Sequence, residues 1–219
     1  MVSELPHKSP DIFNGTASRL RFHLFLWEVT RQDEDLRDAV SCGEYHISAA
    51  EEVGKDEVQL RIPQEYGSGS EQAYIGYAHG VAGIADALLD LYDVTPTPRI
   101  IKTVRASVNR LAATATVVIE NNSGIDWPST DGGETGGGFW CHGSAGIARF
   151  LLKAVDRKVS PIADKLAKDA AKTAANGVRW AGPTQCHGLS GNIEVLLDFF
   201  QSTGKQRYLD SAITLSTLL

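Results

Sequence analysis

Four times along its length this chain repeats one small-residue turn followed by an apolar helix pattern. The copies are Asn14-Gly15-Thr16-Ala17-Ser18, His79-Gly80-Val81-Ala82-Gly83, His142-Gly143-Ser144-Ala145-Gly146 and His187-Gly188-Leu189-Ser190-Gly191. Their first glycines are 65, 63 and 45 residues apart. Apolar helix patterns follow at Leu20 to Val29, Ile84 to Tyr92, Ile147 to Val155 and Ile193 to Phe200; Ile84, Leu88, Leu91 and Tyr92 mark one stripe of a 3.6-residue period. Between them lie more charged, amphipathic segments at Glu34 to Glu52, Arg99 to Val118, Pro161 to Ala175 and Tyr208 to Leu219. Pro98 stands just before the stripe Ile100, Val104, Val108, Leu111, Ala115, as a helix start favours. The repeating unit is helix, connection, helix. Such units stack into a solenoid or close into an α/α toroid, with function on the turn side. The fold class is all-α over one domain, residues 1–219. Val58 to Ile62 alternates like a strand but is short and stands alone, so it reads as a connecting segment.

Composition narrows the function. The 219 residues carry 21 Lys+Arg against 27 Asp+Glu, a formal charge of −6, which argues against a nucleic-acid grip. No apolar run reaches the roughly 18 residues of a membrane span, since Arg19, Arg21 and His23 break the longest one. The first residues lack the apolar centre of a secretory signal, and three cysteines cannot make a disulfide framework; a cytoplasmic home is expected. Two loops stand out: Gly67-Ser68-Gly69-Ser70, and 131–138 with five glycines. The second lacks the Lys-Ser/Thr of a phosphate loop.

Chemistry concentrates in the later turns, which carry His79, Cys141-His142 and Cys186-His187. Cysteine and histidine are natural zinc ligands, yet no single turn closes a tetrahedron and no C-x₂-C pair exists. Repeat geometry instead superimposes Cys141 on Cys186, each directly before His-Gly. Two thiolates and one imidazole would leave a fourth position open, the catalytic pattern. Cys42 reads as a buried core residue, and Phe139, Trp140 and Trp180 as packing residues. A metal-free hydrolase pairing Asp11 with Asp126 or Asp131 is a further possibility on residue types alone.

Gly76-Tyr77-Ala78-His79-Gly80-Val81-Ala82-Gly83, Trp140-Cys141-His142-Gly143-Ser144-Ala145-Gly146 and Cys186-His187-Gly188-Leu189-Ser190-Gly191 resemble, in order, the three signature motifs of the lanthionine synthetase cyclase (LanC-like) family. The resemblance implies an α/α toroid of seven helical hairpins whose members add a peptide cysteine to dehydroalanine or dehydrobutyrine, closing thioether rings. It implies zinc on Cys141, Cys186 and His187, an acid/base role for His79, and a matching aspartate at Asp11. His142 falls where members often carry Tyr or His. The first turn departs from the pattern with Ser18 in place of Gly, and Gly137 stands where some bacterial cyclases have Arg. Four repeats are fewer than seven, so the chain is expected to be part of a larger synthetase or to complete itself with a partner.

The implied partners are a dehydrated precursor peptide and either a dehydratase or kinase component or a second copy. Phe22, Phe25, Leu26 and Trp27 in the first inner helix, and Leu196, Leu197, Phe199 and Phe200 in the last, are expected to face outward from the end repeats and to drive association. The alternative function is a zinc protein that keeps the ligands and binds a thiol or partner peptide without closing rings.

Overall fold

A computed structural model describes residues 6–66, 71–118, 124–135 and 137–219; the Gly67–Ser70 loop lies outside them. The helices form four consecutive hairpins: α1 (Thr16–Thr30) with α2 (Asp33–Ala49), α3 (Val81–Val94) with α4 (Pro98–Thr114), α5 (Ser144–Asp156) with α6 (Ala163–Asn176), and α7 (Leu189–Thr203) with α8 (Gln206–Ser216). The first helix of each hairpin packs on the first helix of the next, so α1, α3, α5 and α7 form an inner row backed by their partners. Each inner helix begins directly after a turn glycine, at the phase the repeat predicts.

Local chemistry explains the boundaries. Thr97 caps α4, its hydroxyl accepting the Ile100 amide at 3.3 Å, and Pro98 opens the helix with its φ already suitable. Asp33, Glu34 and Asp35 place negative charge in the first turn of α2. Gly204, at φ 64°, ends α7 in the left-handed conformation. The core runs between the rows: Leu20, Ile84, Leu88, Phe150, Leu151, Val195 and Phe199 from the inner helices meet Val104, Val108, Leu111, Ala167 and Ala170 from the outer ones.

Two sequence expectations are corrected. Val58 to Ile62 is not isolated: β2 (Glu57–Gln59) pairs antiparallel with β1 (Glu51–Gly54), a hairpin hidden in sequence because β1 is fully exposed and carries no alternating apolar pattern. A second small pair joins β3 (Thr116–Val117) to β4 (Ile125–Asp126). The last inner helix also differs from expectation. Leu196 and Phe199 are buried, Phe199 against Tyr208 of α8, while Leu197 and Phe200 are half-buried. At the other end Phe22, Phe25 and Val29 are exposed, and Leu26 and Trp27 are half-covered.

A belt of alternating charge crosses the inner row. Six and ten residues after the turn glycines stand Arg21 on α1, Asp86 and Asp90 on α3, Arg149 and Lys153 on α5, and Glu194 and Asp198 on α7. Arg21 donates to Asp86 at 2.5 Å, Asp90 at 2.7 Å and the Tyr77 hydroxyl at 2.9 Å. Lys153 reaches Asp90 and lies 3.1 Å from an Asp86 carboxylate oxygen. Arg149 bonds Glu194 at 2.7 Å. Burial alone would keep Asp86 neutral, but Arg21, Lys153 and the Tyr77 hydroxyl outweigh it and hold its carboxyl at about 2. Each helix thus neutralises the one before it, which favours one order and register of the row.

Candidate metal and acid/base site

The four turns are stitched together by their backbones. The Ala78 carbonyl accepts the amides of Ile12 and Phe13, both at 3.1 Å. The Cys141 carbonyl accepts those of Tyr77 and Ala78 at 2.9 and 3.0 Å, and the Cys186 carbonyl accepts the Cys141 amide at 3.3 Å. The accepting residue is always two before the turn glycine. This link aligns Phe13, Ala78, Cys141 and Cys186 in one line and Asn14, His79, His142 and His187 in the next.

Glycines make the turns this tight by lacking a side chain. The turn glycines have extended φ values, from −115° to −149°, so handedness is not the reason. A Cβ on Gly83 would stand 1.9 Å from the Tyr77 carbonyl, and one on Gly146 1.9 Å from that of Trp140. In the first turn the corresponding residue is Ser18, whose hydroxyl bonds the Gly15 carbonyl at 2.9 Å.

Asp11 and His79 meet: Oδ2 lies 2.5 Å from Nδ1. Asp11 is buried, and its other oxygen accepts the Asn14 amide at 3.0 Å and the Ser9 hydroxyl at 3.2 Å. The loop carrying it is fastened to α2, where Tyr45 donates to the Lys8 carbonyl at 2.6 Å and His46 to that of Pro10 at 2.8 Å. Burial lowers His46 to about 4, so it is neutral and can serve as a single-proton donor there.

The His79 ring stacks on His142, centroids 5.5 Å apart and planes 22° apart, and His142 in turn lies 6.1 Å from His187. Ligand atoms of Cys141, His142 and His187 all fall within 4.8 Å of one another, a group that could hold a metal ion. Cys141 Sγ is 3.1 Å from His187 Nε2. Zinc–sulfur and zinc–nitrogen bonds place tetrahedral ligand atoms roughly 3.5 Å apart, so these residues fit the ion with little adjustment. One further observation agrees with a cation here: the buried Nδ1 of His142 has no hydrogen-bond partner. Burial, with the neighbouring Cys186 thiol, pushes the Cys141 thiol well above its ordinary range, so without a cation it stays neutral. Burial and then the flanking His79 and His187 keep His142 neutral, the form that can ligate.

The residues expected at the site from sequence are therefore together, with one difference of emphasis. Cys186 touches Cys141 through its thiol, but the compact donor group contains His142. The signal for His142 was its register: it shares its place in the turn with His79 and His187. The carboxylates of the hydrolase alternative are engaged elsewhere. Asp126 accepts the Ser144 and Gly137 amides at 2.8 and 3.2 Å, capping α5 and the glycine loop, and Asp131 pairs with Arg110. Trp180 is not a packing residue; it is 81% exposed and meets Phe139 edge-on.

Stacked helical hairpins whose glycine turns gather a Cys/His group beside an Asp–His pair define an all-α protein with a donor group that could hold a metal ion. Residues 2–217 match the model of the lanthionine synthetase C-like protein family, and the chain belongs to that family. Among the described residues no helix is long and apolar enough to cross a membrane.

Proposed function

We propose that this chain is a zinc-dependent cyclase that adds a cysteine thiol of a ribosomally made peptide to a dehydroalanine or dehydrobutyrine. The observation that supports this reading is the stacking of Asp11-held His79 on His142, which belongs to the donor group with Cys141 and His187, so that His79 would serve as the acid/base group one ring away from those donors. Cys141, Cys186 and His187 would hold the zinc, whose contribution when bound is to ionise the incoming thiol at neutral pH. Asp11 takes the Nδ1 proton of His79 as a hydrogen bond, which fixes the tautomer and turns Nε2 to the substrate. Nε2 of His79 accepts the proton that the incoming thiol gives up; addition of sulfur to the β-carbon leaves an enolate, and the same Nε2 returns that proton to the α-carbon. Dehydrated precursor peptide is the substrate this chemistry needs, and a dehydratase must act before it.

His142 favours a second reading. With His142 as well as Cys186 beside Cys141 and His187, four protein donors could close the coordination shell, as in a zinc protein that binds a thiol or peptide without ring closure. Incubation with a dehydrated, cysteine-containing peptide separates the two. Alkylation followed by mass spectrometry should show free thiols disappearing for the cyclase; thiols that stay fully alkylatable would leave the binding protein.

A further inference from the structure

An unbroken file of rings crosses the turns. Phe13 lies 5.3 Å from His79, His79 5.5 Å from His142, His142 6.1 Å from His187, His187 5.5 Å from Phe139, and Phe139 6.0 Å from Trp180. Imidazoles occupy the middle, with a phenyl ring at one end and a phenyl and an indole at the other. The terminal rings are the open ones: Phe13 is 67% exposed and Trp180 81%. Tyr74 lines the same file, 5.8 Å from His79 and 5.9 Å from His142.

Neither terminal ring is packed into the core. Phe13 is anchored through its backbone amide, which bonds Ala78 whatever the side chain, and its ring adds a tilted contact to His79. Trp180 adds only an edge contact to Phe139. Rings left in water at both ends of a row of acid/base and metal-competent groups are suited to cover apolar side chains of whatever lies along that row.

We infer that Phe13 and Trp180 are specificity-determining residues that grip apolar side chains on the two flanks of the reacting pair in the substrate peptide. This rests on the cyclase reading for the identity of the ligand. The peptide would run along the ring file, with its reacting cysteine and dehydro residue over the imidazoles and a bulky apolar residue against each end ring. Covering part of an aliphatic side chain against each ring should give about two- to tenfold in affinity for each flank.

The test is equilibrium binding, which does not need catalysis. Fluorescein-labelled peptides carrying Cys and Ala at the reacting positions are titrated by anisotropy into the intact chain, with Leu or Ser on either flank. The Leu-flanked peptide should bind about tenfold more tightly than the Ser-flanked one. Phe13→Ala should erase the advantage of one flank and Trp180→Ala that of the other, with Phe13→Leu restoring part of it. Equal binding of Leu- and Ser-flanked peptides by the unmodified chain, or no binding of either, overturns the inference without any variant having to fold. A dehydrated version of the same peptide, assayed by alkylation, reads the cyclase proposal separately. Tight, flank-selective binding without ring closure would remove the cyclase reading alone, and ring closure indifferent to the flanks would remove this one alone.

Discussion

Asp11 and His79, 68 residues apart in sequence, share a 2.5 Å hydrogen bond whose carboxylate is buried and whose imidazole stacks on the next turn's histidine. His79→Ala should keep its metal and lose about 10²–10⁴-fold in ring closure. Asp11→Asn should lose less, since the amide can still orient the ring in part. Metal analysis of the purified variants, run beside the alkylation assay, checks both. Loss of zinc from His79→Ala would make His79 a ligand and redraw the roles.

Metal content tests the donor set. One zinc per chain is expected, with Cys141→Ala and His187→Ala losing it. Cys186→Ala and His142→Ala then distinguish an open site from a closed one. Retention in His142→Ala with loss in Cys186→Ala fits the cyclase, and the reverse fits a ligand set built on the compact Cys141/His142/His187 group.

Acid should weaken the anchoring of the Asp11 loop. The folded pKa of His46 is about 4 against an ordinary 6.5, so the unfolded chain binds the extra proton between those values. Stability from this group is complete above about pH 6.5 and falls by roughly 3 kcal/mol as pH drops to about 4. His46→Gln, whose amide can still donate toward Pro10, should flatten that part of the pH profile in urea melts. An unchanged slope would remove His46 as its source.

The charge belt predicts a different acid response. Asp86 is depressed to about 2, so its contribution is present above about pH 4 and is lost as pH falls through 2. Arg21→Met should cost about 3 kcal/mol at neutral pH, the low end for breaking a buried pair, because Lys153 remains and Arg21 is 30% exposed. Denaturation in urea measures it; a loss below about 0.5 kcal/mol would mean the belt does not hold the row.

The exposed face of α1 makes association an expectation to test. Phe22, Phe25 and Val29 lie at 50%, 61% and 68% exposure on one end of the inner row, enough apolar surface to favour contact with another chain. Light scattering at micromolar concentration should show species larger than the monomer, and Phe25→Glu should shift them down. A monomer with full activity would show that this face needs no cover.

Much of this was legible in the sequence. The inner helices, the turn glycines and the pairing of Cys141 with the fourth turn follow from one repeated pattern, because a 3.6-residue stripe and a glycine needed for close approach both leave marks in residue type. The β1–β2 hairpin left none: Glu51, Glu52, Val53 and Gly54 are all exposed, so no burial imposes alternation. The burial of Phe199 was hidden for another reason. Apolar residues wind around α7 without revealing which of them its neighbours cover; Phe199 lies in the core with its ring against Tyr208 of α8. The charge belt stands in the sequence as a charge six residues after every turn glycine and another ten residues after the last three, but its meaning needs neighbouring helices side by side.

The carbonyl-to-amide links between turns have one more consequence. They use only main-chain atoms, so the scaffold that brings the turns into line is indifferent to the side chains it displays. The two residues before each turn glycine act as a display row, in which chemistry can be exchanged while the frame stays put. Ala78 occupies the same place in its turn as Cys141 and Cys186 in theirs, bonded to Cys141 through its backbone. One backbone frame thus carries Phe, Ala, Cys and Cys at the same place in its four turns, and residues of different chemistry are held in one line by main-chain links.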